Sequence, residues 1–233
     1  MSKKSDLSAR TPTHIITGFL GSGKTSTVLH LLGQRPAHEH WAVLVNEFGE
    51  VGIDRALIEG HAHSQGNVTV LEVPGGCMCC AASPLVFVML SELLGKQQLD
   101  RLLVEPSGLG HPVEVLELLQ SPSFCDVLSV QKIVTIVDAR LLEDERHTED
   151  PTFNQQVSIA DVLVGNKRDL YRPGDERHLI KYAAEHAQFN ATVQFTSLGA
   201  LDLSSLLGPC DARASHAHTH ATIPQSIDMT TAP

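Results

Sequence analysis

Gly18-Phe19-Leu20-Gly21-Ser22-Gly23-Lys24-Thr25 has the form glycine, four residues, then Gly-Lys-Ser/Thr. Glycines at this spacing let consecutive backbone N–H groups converge on phosphate oxygens with no Cβ in the way. A helix N-terminus behind them adds a favourable dipole. Lys24 is placed to reach the outer phosphates, and the Thr25 hydroxyl to ligate Mg²⁺. Four fixed positions match by chance in about one chain per hundred of this length. Here the match also follows a strand-like run at 14–17 and opens a helical run at 24–32, which is the context a phosphate loop needs. Gly18, Gly21, Ser22, Gly23, Lys24, Thr25 and Ser26 are therefore the candidate phosphate-binding residues.

Downstream, short apolar runs alternate with helical spacing. Strands are expected at 41–45, 68–73, 102–105, 133–138, 161–166 and 192–195. Helices are expected from Ser83 and Pro84 through Leu85, Val86, Met89, Leu93 and Leu94, and at 112–119 and 175–186. This alternation predicts the α/β class: a P-loop NTPase with a mostly parallel sheet and helices on both faces. Residues 1–12 read as a flexible N-terminus and 13–208 as the nucleotide-binding domain. Residues 209–233 read as a tail containing His216, His218 and His220.

Asn166-Lys167-Arg168-Asp169 follows the run Val162-Leu163-Val164. An ionised Asp169 only accepts hydrogen bonds, which suits the N1 and N2 donors of guanine and repels the bare N1 acceptor of adenine. The Lys167 stem is expected to cover one face of the base, and Thr196-Ser197 to add a second base contact. The bland alternative is a solvated polar loop. Glu105 and Asp138 each end a strand, at the edge where ligands bind in such sheets. With Lys24 they are the candidate catalytic residues, and Gly108 is placed to sense a third phosphate. For Asp138 the alternative is a helix cap. Glu47 and Glu50 lie in a Gly-, Glu- and His-rich connection, 46–66, as switch residues or as a solvated face.

Composition narrows the partners. The formal net charge of -10 supplies no global attraction to nucleic acid or anionic membrane. No apolar run reaches the roughly 18 residues that span a bilayer, and no signal-peptide core is present at residues 1–10. A cytoplasmic protein is the expectation. In a reducing compartment the cluster Cys77-Met78-Cys79-Cys80 is poorly explained by disulfides, since adjacent cysteines bridge only under strain. Clustered thiolates suit zinc and its neighbours, and Gly75-Gly76 let the sulfurs converge. Redox sensing is the alternative. Cys125 and Cys210 read as packing residues.

Together the segments 18–25, Val45-Asn46-Glu47-Phe48-Gly49, Gly76-Cys77-Met78-Cys79-Cys80, Glu105-Pro106-Ser107-Gly108, Val137-Asp138-Ala139 and 166–169 resemble the CobW-type metallochaperone P-loop GTPases, relatives of the urease and hydrogenase nickel-insertion GTPases. The resemblance implies GTP hydrolysis with Mg²⁺. It implies binding of Zn²⁺ or Co²⁺ at Cys77, Cys79 and Cys80, with Glu47 a further candidate ligand, and delivery to a metal-requiring client protein. A homodimer is compatible with it. Family members usually continue into a C-terminal α/β domain after a His-rich linker, and 209–233 reads as the remnant of that region. The rivals are a GTP-dependent zinc or redox sensor that inserts no metal, and a small-molecule P-loop kinase, against which the Asn-Lys-x-Asp element speaks. No Gln or Arg in the sequence is an evident water-orienting or charge-supplying group, so slow intrinsic hydrolysis is expected.

Overall fold

A computed structural model describes residues 10–46, 67–73 and 84–212. Its centre is a parallel eight-stranded sheet in the order β3-β2-β4-β1-β6-β7-β8, with β5 also paired to β1. The strands are β1 (Thr11–Gly18), β2 (Trp41–Asn46), β3 (Val68–Val73), β4 (Arg101–Glu105), β5 (Leu128–Val130), β6 (Val134–Val137), β7 (Val162–Gly165) and β8 (Thr192–Phe195). The helices are α1 (Lys24–Gly33), α2 (Pro84–Lys96), α3 (Pro112–Leu119), α4 (Glu145–Thr148), α5 (Pro151–Ser158) and α6 (Asp175–His186).

Side chains alternate across a strand, and the sequence uses both faces. Ile15, Leu102 and Val104 pack with Val86, Leu90 and Leu116 on one side. Ile16, Leu103, Val134 and Val164 pack with Val28, Leu31 and Leu32 of α1 on the other. Farther along the first side, Val137 and Leu163 meet Phe153 and Val157 of α5 and Leu179 and Ala183 of α6. Burial on both faces explains why these strands read as continuous apolar runs. Each fully covered Leu or Ile contributes roughly 1.5–3 kcal/mol. Among the described residues no helix is long and apolar enough to cross a membrane.

The expected sheet is present, with differences at its margins. β1 starts at Thr11, three residues before the expected run. Thr11 to Thr13 pair with Leu128 to Val130, and that three-residue strand is too short to show a period. The expected strand 133–138 is shorter, because Ile133 is engaged by an acid: its N–H donates to Asp161 Oδ2 at 2.7 Å. In α2 the buried residues are Val86, Leu90 and Leu93, whereas Leu85, one of the apolar residues of the expected helix, is exposed. The expected cap Ser83 and the connection 47–66 lie outside the described residues. Helices α4 and α5 had no counterpart in the expected pattern. Residues 208–212 return to the amino ends of the strands: Lys132 N–H donates to Gly208 O at 3.1 Å, and Asp211 N–H to Asp161 Oδ1 at 3.0 Å.

That same amino edge holds a buried histidine. Arg101 donates to His14 Nε2 and lies over the Trp41 ring, 5.1 Å from its centroid. Burial, then the Arg101 charge, pulls the His14 pKa from 6.5 down to about 3. A histidine depressed in the fold stabilises fully above its unfolded pKa, and that contribution is lost as pH falls from about 6.5 towards about 3. Between roughly pH 7.5 and 5.5 the parent protein should lose about 1.4 kcal/mol more than His14→Gln. Urea denaturation at both pH values checks this; equal losses would show that His14 is not kept neutral.

Candidate functional site

The carboxyl ends of β1, β2 and β4 and the start of α1 enclose a cavity of about 300 Å³, lined by parts of 20–26, by Val45 and Asn46, and by residues 105–108. Lys24, Thr25, Ser26, Glu105 and Gly108, predicted from separate segments, meet here. Thr25 Oγ1 donates to Glu105 Oε1 at 2.8 Å, and Glu105 is almost fully buried. A hydroxyl and a carboxylate at hydrogen-bond distance beside a phosphate loop form the donor set that Mg²⁺ favours. Lys24 Nζ donates to Phe19 O at 3.2 Å, so the ammonium folds over its own loop. A Cβ on Gly108 would lie 2.8 Å from Leu20 N and 2.9 Å from Lys24 Nζ. Only glycine permits so close an approach of the 105–108 loop to the lysine. Ser22 Oγ, within the phosphate loop, is buried without a hydrogen-bond partner, polar capacity held in reserve at a cradle that fits a nucleotide phosphate.

The second end of the site is organised by Asn166. It is buried, and its Nδ2 donates to Ser22 O at 2.9 Å. Its Oδ1 accepts from Gly199 N at 3.0 Å, and its own N–H donates to Val137 O at 2.8 Å. The side-chain amide thus joins the phosphate loop to the loop after β8, and the backbone of the same residue is tied to the end of β6. Gly23, with φ of 103°, is the residue beneath it; a Cβ there would lie 2.2 Å from Asn166 Nδ2. Arg168 N–H donates to Thr196 O at 3.0 Å and Asp169 N–H to Ser197 Oγ at 3.1 Å, which locks the two predicted base-contact segments together. Asp169 is exposed.

Asp138 had two expected roles, a carboxylate beside the phosphates with Glu105 or a helix cap. It takes the second, and it does not line that cavity. Its carboxylate caps the turn at 139–141 and takes two bonds from Arg140, Nε at 2.9 Å and Nη2 at 2.7 Å. Lys167 Nζ lies 3.2 Å away. Burial works to raise its pKa, but the Arg140 and Lys167 hydrogen bonds and charges outweigh burial and hold the carboxyl below its ordinary value. The physical reason is local: a strand-end carboxylate next to a short turn finds the free N–H groups of that turn first. Its service to the site is to hold Lys167, whose backbone is left-handed at φ 59°.

Glu47, Cys77, Cys79, Cys80, Glu50, His216, His218 and His220 lie outside the described residues. Among the described residues no group of three or more His, Cys, Asp or Glu could hold a metal ion. Burial pushes the Cys210 thiol up to about 12, as suits a packing residue. His111 faces Gln155 Oε1 at 3.1 Å and does not line the nucleotide cavity. Sequence reasoning missed Leu198 and Gly199. Leu198 is 83% exposed with φ 55°, and Gly199 backs onto α1, where a Cβ would be 2.6 Å from Thr27 N. The dipeptide Leu-Gly after Ser197 was the available signal. Also missed was Phe19 as an anchor, packed edge-on against His147 with ring centroids 4.8 Å apart.

Comparison with known proteins agrees with this architecture. The model of the CobW/HypB/UreG nucleotide-binding domain matches residues 12–196. The zinc chaperone YeiR of Escherichia coli K12 is 40% identical over an alignment covering 90% of this chain and 64% of the relative. The zinc chaperone CobW of Pseudomonas aeruginosa is 31% identical, covering 91% and 65%. The chain thus spans just under two thirds of the length of these relatives. The crystal structure of Zn(II)-bound YjiA GTPase from E. coli is similar in fold, with a TM-score of 0.61 at 22% identity over 85% of this chain and 61% of that one. HypB from Helicobacter pylori in complex with nickel gives 0.54 at 16% identity over 86% and 84%.

The two motif residues Asn166 and Asp169 should separate experimentally. Asn166→Ala leaves buried backbone groups without partners and should cost about 1–3 kcal/mol. Asp169→Ala, on the exposed side, should stay within about 0.5 kcal/mol. Denaturant midpoints of both variants check this; equal midpoints would remove the cross-tie role of Asn166.

Proposed function

This chain belongs to the CobW/HypB/UreG family of nucleotide-binding domains, and we propose that it is a GTP-hydrolysing metal chaperone: it binds a transition metal, zinc first among candidates, through Cys77, Cys79 and Cys80 and delivers it to a metal-requiring client. The residues 18–26 cradle the phosphates, and Lys24 supplies positive charge at the outer ones. Asp169 reads the guanine edge, with Lys167 held beside it by Asp138. Thr25 and Glu105 hold Mg²⁺, which neutralises charge on phosphate oxygens. Gly108 offers its N–H to the third phosphate.

One observation carries the coupling between nucleotide and metal. Asn46, at the end of β2, lines the phosphate cavity, and it pairs in register with Val73 at the end of β3. Neighbouring strands lie about 4.8 Å apart. The chain leaves the sheet at Val73, beside the strand end that lines the phosphate cavity, and Cys77 follows four residues later in the sequence. Loss of the third phosphate removes contacts at this sheet edge, and the cysteines respond with lower metal affinity. A tenfold change in affinity requires about 1.4 kcal/mol of difference between the two states, which one or two charge-assisted hydrogen bonds supply.

The test is zinc titration of the protein with a non-hydrolysable GTP analogue, with GDP and with no nucleotide. Affinity should be about tenfold or more higher with the GTP analogue, and Cys77/Cys79/Cys80→Ser should abolish the tight site. Equal affinities in all three conditions would defeat the gate. Asp169→Asn should weaken GTP selectivity over ATP without touching zinc affinity in the absence of nucleotide.

A further inference from the structure

Gln156 belongs to no motif of the site, yet its side chain is wholly buried and aimed at the third-phosphate loop. Its Nε2 donates to Gly108 O at 3.1 Å and sits 3.5 Å from Gly110 O. Two carbonyl acceptors at one amide require its donor end, which fixes the orientation of the group. The next residue back, Gln155, meets His111. Helix α5 therefore grips the loop 108–111 at three points.

The helix itself is firmly held. Asp150 caps it, accepting from Thr152 N at 2.7 Å and Phe153 N at 3.1 Å. Thr135 Oγ1, on the buried strand β6, donates to Gln156 O at 2.6 Å. Phe153 packs against Phe19 of the phosphate loop, with ring centroids 6.2 Å apart. Gly108 in turn lies so close to Lys24 and Leu20 that no side chain fits between them. A shift of Gly108 by a few tenths of an ångström would move its N–H relative to any phosphate oxygen at that place, where hydrogen-bond strength falls steeply with distance and angle.

We propose that Gln156 is a positioning residue that sets the preference for a nucleoside triphosphate over a diphosphate, by holding the carbonyl side of Gly108 so that its N–H faces the third phosphate. This rests on the reading of the cavity as a guanine-nucleotide site. It adds to that reading a residue outside the phosphate loop, and a route from the nucleotide to α5. A role limited to satisfying buried carbonyls would predict something else: lower stability, with both nucleotides weakened alike.

The experiment compares affinities for GDP and for a non-hydrolysable GTP analogue in the full chain, in Gln156→Met and in Thr135→Val, with thermal melts to establish folding. Gln156→Met keeps the length and removes the donor. Its affinity for the GTP analogue should fall about tenfold, the worth of one or two lost hydrogen bonds, with GDP affinity unchanged within about twofold. Thr135→Val, which loosens the helix without touching the amide, should shift the same ratio in the same direction by a smaller factor; it decides the matter if Gln156→Met does not fold. An unchanged ratio in the folded variants, or a parallel loss for both nucleotides, would overturn the role. Failure of the parent protein to bind either nucleotide would instead remove the underlying reading, and this inference with it.

Discussion

The side-chain amide of Asn166 is the constraint around which the site is assembled. It donates to Ser22 O and accepts from Gly199 N, so the phosphate loop and the base loop are referenced to one buried group. Such an amide is expensive to leave half-satisfied in a low-dielectric interior, and that cost makes the geometry all-or-none. Gly23 clears the space the amide needs, and Gly199 clears the space against α1. The segments that sequence reading treated as independent motifs are mechanically one piece.

The central strands were legible because a doubly covered parallel sheet writes itself as apolar runs, as in 41–45 and 102–104; the partly buried edge strands 68–73 and 192–195 were also read to the residue. β5 was not, since Leu128-Ser129-Val130 has too few positions to show a period. The inward face of α2 was not legible, because every residue at 84–90 is apolar and the pattern singles out no side. Tertiary contacts, not the pattern, put Leu90 inside and Leu85 outside.

In the site, legibility followed the kind of work a residue does. Lys24, Thr25, Glu105 and Gly108 were found because phosphate chemistry demands those types at strand ends, and they converge on one cavity. Asp138 was left between two roles, because a carboxylate at a strand end looks the same in sequence whether it faces a phosphate or caps the turn behind it; it takes the second. Asn166 was a nucleotide-binding candidate through its motif alone; that its side-chain amide ties Ser22 O to Gly199 N could be read only from the structure. Gln156 carries no motif: its partners are carbonyls 46 and 48 positions away, and only the packing of α5 against the sheet reveals them.

The first and last described residues, Arg10 and Ala212, lie on the rim opposite the nucleotide cavity. β1 enters at Thr11 with Arg10 held by Cys125 O at 2.8 Å, and residues 208–212 are pinned by Lys132, Asp161 and Gln120. A dye or resin coupled to a described residue of this rim, such as Cys125, therefore starts from the pole away from the nucleotide cavity, and an immobilised preparation keeps its mouth towards the bulk solution. Material attached there must travel around the sheet's flank before it can obstruct entry of a nucleotide.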